Sequence, residues 1–517
     1  MLPNQLRMVI GRLAAFLASL LVASVVVFGL LNLLPGDVAG VILGPNATPE
    51  SIAAMRDQLG LNRPIWARYL DWLTGLLTGQ LGNSALTRQA IGPLIAQKLA
   101  VTSWLVSFGM VLALLIALPL GMYQAMRRHR VDGIVLSGLS QLGMAFPVFV
   151  VGIALSLLVG VRLRWLPANG YTDPAQSITG WLTHLILPAV TLAMAQSAVL
   201  MRYVRSGFIG ILQTDYFRTA RAIGWRRWPG LLRHGMRNAA LELVTVTGLQ
   251  LAALLVGAIV VESVFVLPGL GQYLLQVVAA RDLPVIQTVV MLLVTLVLVI
   301  NLLVDLAYTL IDQAARPRRH QGAAMRLRRT WWPGVLMVGL IVGLALLSAC
   351  WVPYPPTQVS PERLAPPGLR HLLGTDGFGQ DIFARILIGA RSCLLVGVVA
   401  VGIGALLGVP LGIIAALSRG WRGRLLMRAI DIVYAFPALL LAILLAAARG
   451  RGSTLTAMIA IGISSMPAFT RVVRSSALQV LSQDYILAAR AAGTSRAGIA
   501  VGHVLPNVSP VVLVQAS

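Results

Sequence analysis

The sequence predicts an all-α, polytopic transmembrane protein made of two parallel units, and three observations predict it. Of 517 residues, 57% are hydrophobic and 11% charged, with a mean hydropathy of +0.83, a balance outside the range of soluble globules. Several apolar runs exceed the ~18 residues that a helix needs to cross a bilayer. Finally, the stretch around Thr214–Asn238 returns without a gap 269 positions later. Arg202 falls on Arg471, Arg205 on Arg474, Asp215 on Asp484, Tyr216 on Tyr485, Ala220 on Ala489, Arg221 on Arg490, Ala222 on Ala491, Gly224 on Gly493, His234 on His503 and Asn238 on Asn507. So long a gapless match marks an internal repeat.

The elements follow in order. Arg7 and Arg12 precede an apolar run over about 13–34, too long for the core of a signal peptide and read as an uncleaved first span with its N-terminus inside. A mixed-charge segment with Trp66, Tyr69 and Trp72 follows, expected outside and partly amphipathic at the membrane interface. Further spans are expected at about 99–124, 134–161, 184–206, 240–266 and 285–311. Arg127, Arg128 and Arg130 mark one inside loop, and the repeated stretch lies in another. After the fifth span, Pro268, Gly269 and Gly271 break the helix. Six arginines crowd residues 312–332, and Met325 looks like the start of a second protein, as if two genes had fused. The second half opens with a span at about 333–352 and continues with spans at about 390–417, 427–448 and 455–477. Pro119-Leu120-Gly121 matches Pro410-Leu411-Gly412, and Ala145-Phe146-Pro147 matches Ala435-Phe436-Pro437. The two halves therefore run parallel, not inverted. The resulting division is 1–96, first helix and outer segment; 97–312, first transmembrane domain; 313–332, junction; 333–387, helix and outer segment; 388–517, second transmembrane domain. Position 517 corresponds to Gly248, inside the fifth span of the first half, so the second unit is expected to be incomplete at its C-terminus.

Composition also excludes. The net charge of +24 does not indicate nucleic acid, because the arginines sit in short loops between apolar runs, as membrane topology requires. Lys98 is the one lysine and no glycine precedes it, so no phosphate-binding P-loop is present. Cys350 and Cys393 lie in or beside apolar runs and are expected to be packing residues. No catalytic set and no metal-ligand spacing is visible, and no cofactor is expected.

The repeated stretch reads as a short helix at the membrane surface. Asp215 or Asp484 opens it, where its carboxylate can accept from free backbone N–H groups. Gly224 or Gly493 closes it with a left-handed residue. Ala220, Ala222 and Gly224, with Ala489, Ala491 and Gly493, leave little bulk, so that a partner's backbone could approach. The bland alternative is an ordinary loop helix whose arginines only set topology. Three acidic residues within or beside spans need weighing, because a charge in a membrane is costly. Asp305 and Asp431 lie near span ends, within reach of water or an arginine such as Arg428. Glu262 precedes the Pro-Gly break and is the candidate for a group facing a translocation path, with a purely structural role as the alternative.

The stretch resembles the EAA loop of ABC-importer permeases, with Thr219 and Ala488 in place of the family's first Glu-Ala elements. The Leu33–Asp37 and Ala47–Leu73 strings resemble the first membrane subunit of dipeptide, oligopeptide and nickel importers, as does VESVFVLPGLGQ (Val261–Gln272), and His371–Gly397 resembles the second. The resemblance implies two fused type I ABC permease units in a bacterial plasma membrane, carrying peptides, nickel or a related small solute. It implies docking of separate ATPase subunits on Asp215, Ala220, Arg221, Ala222 and Gly224 and on Asp484, Ala489, Arg490, Ala491 and Gly493. It also implies delivery of substrate by an extracytoplasmic solute-binding protein, in contact with membrane lipid. A secondary carrier or channel without an ATPase is the alternative, and a membrane-embedded enzyme lacks any catalytic set.

Overall fold

The computed structural model describes residues 2–32, 43, 48–58, 60, 62–280, 282–312, 332–355, 358–418, 420–435, 441–442, 445 and 453–516. Among these residues the ordered backbone is helical, with two isolated β-bridges and no strand. The chain divides into two compact units, Met1–Arg318 and Arg319–Ser517. The junction expected at 313–332 lies outside the described residues except for Trp332. Leu33–Asp37, and Phe436 and Pro437 within the span expected at 427–448, are outside them too.

Unit 1 runs α1 (Leu2–Asn32), α2 (Pro49–Gln58), α3 (Ile65–Thr78), α4 (Ile91–Met126), α5 (Val131–Ala145), α6 (Val148–Leu155) and α7 (Ile178–Leu212). It continues with α8 (Asp215–Ala222), α9 (Arg227–Gly230), α10 (Met236–Phe265), α11 (Leu270–Ala279) and α12 (Leu283–Asp312). Unit 2 runs α13 (Trp332–Cys350), α14 (Ile382–Leu417), α15 (Trp421–Ala435), α16 (Thr454–Leu481), α17 (Asp484–Ala491), α18 (Arg496–Ile499) and α19 (Leu505–Ala516). Among the described residues, seven helices are long and apolar enough to cross a membrane, or eight if the bent pair α5–α6 counts as one.

That pair corrects one expectation. Residues 134–161 do not form a continuous span. The chain turns by 96° between α5 and α6. Phe146 is extended, at φ −79° and ψ 124°, because the ring of Pro147 disfavours the helical conformation for the residue before it. The cysteines correct another: Cys350 and Cys393 are exposed. A helix in lipid can turn apolar residues outward, so apolar character does not report burial there.

The repeat is legible in the backbone. Helices α4 and α14 each have 36 residues, with Pro119 and Pro410 at matching places inside them. Helices α5 and α15 each have 15. From Leu212 and Leu481 to the starts of α10 and α19, every boundary repeats at a shift of 269, including a π-helical turn at Leu231–Gly235 and at Ala500–Val504.

What joins the elements is a seam of small residues. Gly109, Ala113, Ala117 and Gly121 are buried on one face of α4, four positions apart. Ala400, Gly404, Gly408 and Gly412 take the matching places on α14. A Cβ on Gly121 would lie 2.7 Å from Val204 Cβ on α7, and one on Gly412 would lie 2.9 Å from Val473 Cβ on α16. A Cβ on Gly408 would come within 2.6 Å of Phe469 Cβ. Small residues let the backbones approach, which matters in lipid, where no hydrophobic force pulls helices together.

Leucine at either glycine of the Gly121–Val204 or Gly412–Val473 contact must push two helices apart. Gly121→Leu and Gly412→Leu should each destabilise the protein by ~2 kcal/mol or more, read as a lowered Tm in detergent. Gly138→Leu should leave Tm unchanged or raised, because nothing lies within 4 Å of a Cβ there.

Candidate functional site

Each short repeated helix hangs from the end of a long one. At the end of α7 the N–H of Thr214 donates to Ile211 O (3.1 Å), and at the end of α16 the N–H of Gln483 donates to Val480 O (3.1 Å). The turn then reverses into α8 or α17. Asp215 and Asp484 stand at the first helical position, with Thr214 and Gln483 in the capping place. The aspartates therefore do not cap as expected. No side-chain cap bond forms at either start, and Asp215 Oδ1 instead accepts from Arg218 (3.3 Å). Their charge still suits the positive end of the helix.

The closing glycines behave as the sequence predicts. Gly224 has φ +97° and Gly493 φ +80°. The N–H of Gly224 donates to Arg221 O (3.1 Å) and that of Trp225 to Ala220 O (3.1 Å). The N–H of Gly493 donates to Arg490 O and that of Thr494 to Ala489 O, both at 3.0 Å. This paired closure satisfies carbonyls the helix end would leave free, and it needs a left-handed residue at the glycine.

One side chain anchors each short helix to its own unit. Phe217 is 3% exposed and packs with Met122, Val204, Phe208, Ile211, Leu231 and Ala239. Ile486, at the matching position, is 0% exposed and packs with Ile413, Val473, Ala477, Ile499, Val504 and Val508. Ala220 is buried against its unit and Ala489 is half-buried, so both lie on the inner side of their helices. Asp215, Arg221, Ala222 and Gly224 are exposed, as are Asp484, Arg490, Ala491 and Gly493.

The two exposed faces differ chemically. Beside α8, Ile223 is 72% exposed and Trp228 is exposed. Arg221 donates to Trp225 O (3.0 Å), and Arg233 lies 5.6 Å from the centre of the Trp225 ring. Beside α17, Thr494 stands where Trp225 would be, and an open groove is lined there by Arg490, Thr494, Arg496, Ser418 and Ser482.

Glu262 sits elsewhere, at the end of α10. Its side chain is 0% exposed and turned into the protein. Thr102 of α4 donates to Oε1 (2.6 Å), while the N–H groups of Gly271 (2.8 Å) and Gln272 (3.1 Å) donate to Oε2. Thr102 Oγ1 also accepts from the N–H of Leu270 (2.9 Å). Three free N–H groups of α11 are thereby satisfied by a carboxylate and a hydroxyl from two other helices. A Cβ on Gly269 would lie 2.2 Å from the Glu262 carboxyl carbon, and one on Gly271 2.4 Å from Ile259 Cα, so both glycines are required by this approach. Glu262 thus faces the start of α11 in this conformation, not an open passage. Asp431 pairs with Arg471 (2.7 Å), not with Arg428, which supports its structural reading. The side chain of Asp305 lies outside the described residues.

Sequence reasoning missed Phe217 and Ile486. The available signal was a large apolar residue, Phe217 or Ile486, at the same repeat position two places after the shared aspartate. It also missed Thr102, for which the sequence carries no signal, because the partner is 160 residues away.

Comparison with known proteins places the chain among membrane transport components. The family described as binding-protein-dependent transport system inner membrane component matches residues 117–317 and again 408–517. The family of N-terminal parts of such components matches residues 5–105. A probable peptide ABC transporter permease protein of Sinorhizobium fredii is 37% identical over 308 residues, 60% of this chain and 98% of that protein. Glutathione transport system permease proteins of Salmonella typhimurium and Escherichia coli K12 are 40% and 38% identical over 311 residues, 60% of this chain and 99% of each.

Truncating the anchor should free the short helix without unfolding its unit. Phe217→Ala should cost ~3 kcal/mol and raise amide exchange across 215–225, with exchange across 484–494 unchanged. Thr102→Val keeps the shape but leaves Leu270 N–H and one Glu262 oxygen unpaired. It should cost ~1–3 kcal/mol, read as a lowered Tm and faster exchange across 270–279. Glu262→Gln, which can still accept from Gly271 and Gln272, should be milder than Glu262→Ala.

Proposed function

The chain belongs to the family of binding-protein-dependent transport system inner membrane components, and from that premise we propose that it is the peptide-conducting part of an ATP-driven importer. It is a multi-pass membrane transport subunit and not itself an enzyme. The observation that carries the proposal is the pair of short helices. They recur at one spacing, each anchored by one large buried side chain, Phe217 or Ile486, and closed by a left-handed glycine, and each exposes its aspartate, its repeated arginine (Arg221 or Arg490) and that glycine. That is the form a surface needs in order to pass a rigid push from a soluble motor into membrane helices.

The motor is a pair of separate ATPase subunits, since this chain has no P-loop. They dock on Asp215, Arg221, Ala222 and Gly224 and on Asp484, Arg490, Ala491 and Gly493, with Ala220 and Ala489 supporting from beneath. This face lies in the cytoplasm, and so does the N-terminus. An extracytoplasmic binding protein delivers the solute, and ATP binding switches the path between two states of access. The substrate is a small peptide, by analogy with the relatives named for peptide and glutathione transport. Glu262 acts at the break between α10 and α11, positioning α11 in place of lining the path.

Docking is tested by co-expression with the ATPase genes of the host. The chain should co-purify with ATPase subunits and raise their ATP turnover in nanodiscs. Ile223→Arg, on an exposed residue of the α8 face, should leave Tm unchanged but weaken capture about tenfold, the effect of ~1.4 kcal/mol. Peptide uptake into vesicles that persists with no ATPase present would sink the proposal in favour of a secondary carrier.

A further inference from the structure

Unit 1 holds a cavity that the transport reading leaves unused. Its volume is about 390 Å³, and it lies between α1, α3, the start of α4 and α12. Leu20, Leu21, Leu76, Ile95 and Met291 supply most of its character. Three hydroxyl residues also reach the wall, but each is already engaged. Ser24 Oγ donates to Leu21 O (2.7 Å) and lies 2.9 Å from Tyr69 Oη. Thr288 donates to Pro284 O (2.9 Å), and Thr295 donates to Met291 O (2.7 Å). A water molecule needs two to four polar partners to settle in a cavity, and this wall has spent its hydroxyl protons on its own helices. The hydroxyls keep acceptor lone pairs only, and the rest of the wall is leucine, isoleucine and methionine, so the space suits an apolar occupant.

The surroundings say which apolar molecule. Leu17, Leu21 and Leu77 at the rim are exposed, so the cavity opens sideways, through α1 and α3, onto the face a membrane helix turns to lipid. Next to it Phe28, Tyr69 and Trp72 form a ring cluster with centroids 5.4 to 6.3 Å apart. Tyrosine and tryptophan gather where the bilayer meets water. An apolar space that starts beside such a cluster and opens to the bilayer has the layout of a lipid seat, tails along the helices and headgroup at the aromatic level. Helix α3 is amphipathic, with Trp66, Leu70 and Leu77 exposed, as suits a helix lying in the interface.

We propose that this cavity binds an acyl chain of a membrane phospholipid, which wedges between α1, α3 and α12 and holds α3 against the unit. The proposal rests on the reading of the chain as membrane-spanning, and its test keeps the two apart. The full chain is placed in nanodiscs of phosphatidylethanolamine and phosphatidylglycerol carrying a diazirine on one acyl chain, irradiated and mapped by peptide. Labelling should concentrate on residues 17–24, 73–81 and 288–295. It should exceed that on the exposed face of α14, where Val398 and Leu406 report ordinary bilayer contact. Leu76→Trp fills the cavity and should lower its labelling about tenfold, as overpacking excludes an occupant. Leu70→Trp, on the same helix but outside the wall, should change nothing.

Equal labelling of cavity and α14, or no effect of Leu76→Trp, would mean surface lipid only and overturn the proposal. So would unlabelled cavity peptides beside a labelled α14, which would mean that a protein segment fills the space. Absence of label on α14 as well would instead refute the membrane-spanning reading. The wild-type pattern decides the matter even if the tryptophan variant does not fold.

Discussion

The fold depends on how closely two helices approach along a line of missing side chains. In water, apolar faces are driven together. In a bilayer the lipid is as apolar as the helix, and contact must be won by close packing. The seam of Gly109, Ala113, Ala117 and Gly121 supplies it for α4 on α7, and Ala400, Gly404, Gly408 and Gly412 supply it for α14 on α16. The individual glycines and alanines differ between the units, yet each of the four places is small in both. At its end the seam runs into the cluster that buries Phe217 or Ile486. The short repeated helix is therefore seated on the same helix pair that the seam locks together. A push on α8 moves α4 and α7 as one body, because close-packed interiors transmit displacement and do not absorb it.

The two seats solve one packing problem with different atoms. In unit 1 the large Phe217 and Phe208 stand opposite Gly230 and Gly235, where an added Cβ would come within 3.5 Å and 3.2 Å of the rings. In unit 2 the matching residues are Ile486 and Ala477, with Ile499 and Val504 in place of the glycines. Volume lost on one side of each pair returns on the other, the kind of exchange that cores tolerate. The inner faces have thus kept their fit while the outer faces diverged, one presenting Ile223 and Trp228 and the other the groove at Arg490 and Arg496. Packing constrains the first surface and leaves the second free to vary.

A second fixed point lies at the other end of α10. The helix stops at Phe265 with Val266 left-handed, at φ +54°, and the chain turns through Leu267 and Pro268 into α11. Without Glu262 and Thr102 the start of α11 would hold three bare N–H groups beside the membrane core, where an unpaired group is costly. The carboxylate explains the break as much as the proline does: Pro268 ends one helix, and Glu262 makes it possible to begin the next so soon.

The sequence by itself determined the fold class, the number and order of most spans, the repeat and the positions of the short repeated helices. These follow from local rules: a run of apolar residues must become a helix in lipid, and a glycine can take the left-handed conformation that closes a helix. The glycines of the α14 seam, four apart, were legible too for a reader looking for packing. What only the tertiary structure decided is where side chains point and whom they meet. Ala220 turned inward, Phe217 became the anchor, Asp431 chose Arg471 and Glu262 became the cap of a helix it does not belong to. The bend at Phe146–Pro147 turned an expected straight span into two. The physical reason is distance along the chain. Residues 40, 160 or 168 positions apart meet only after the helices have packed, and nothing local in either segment records the other.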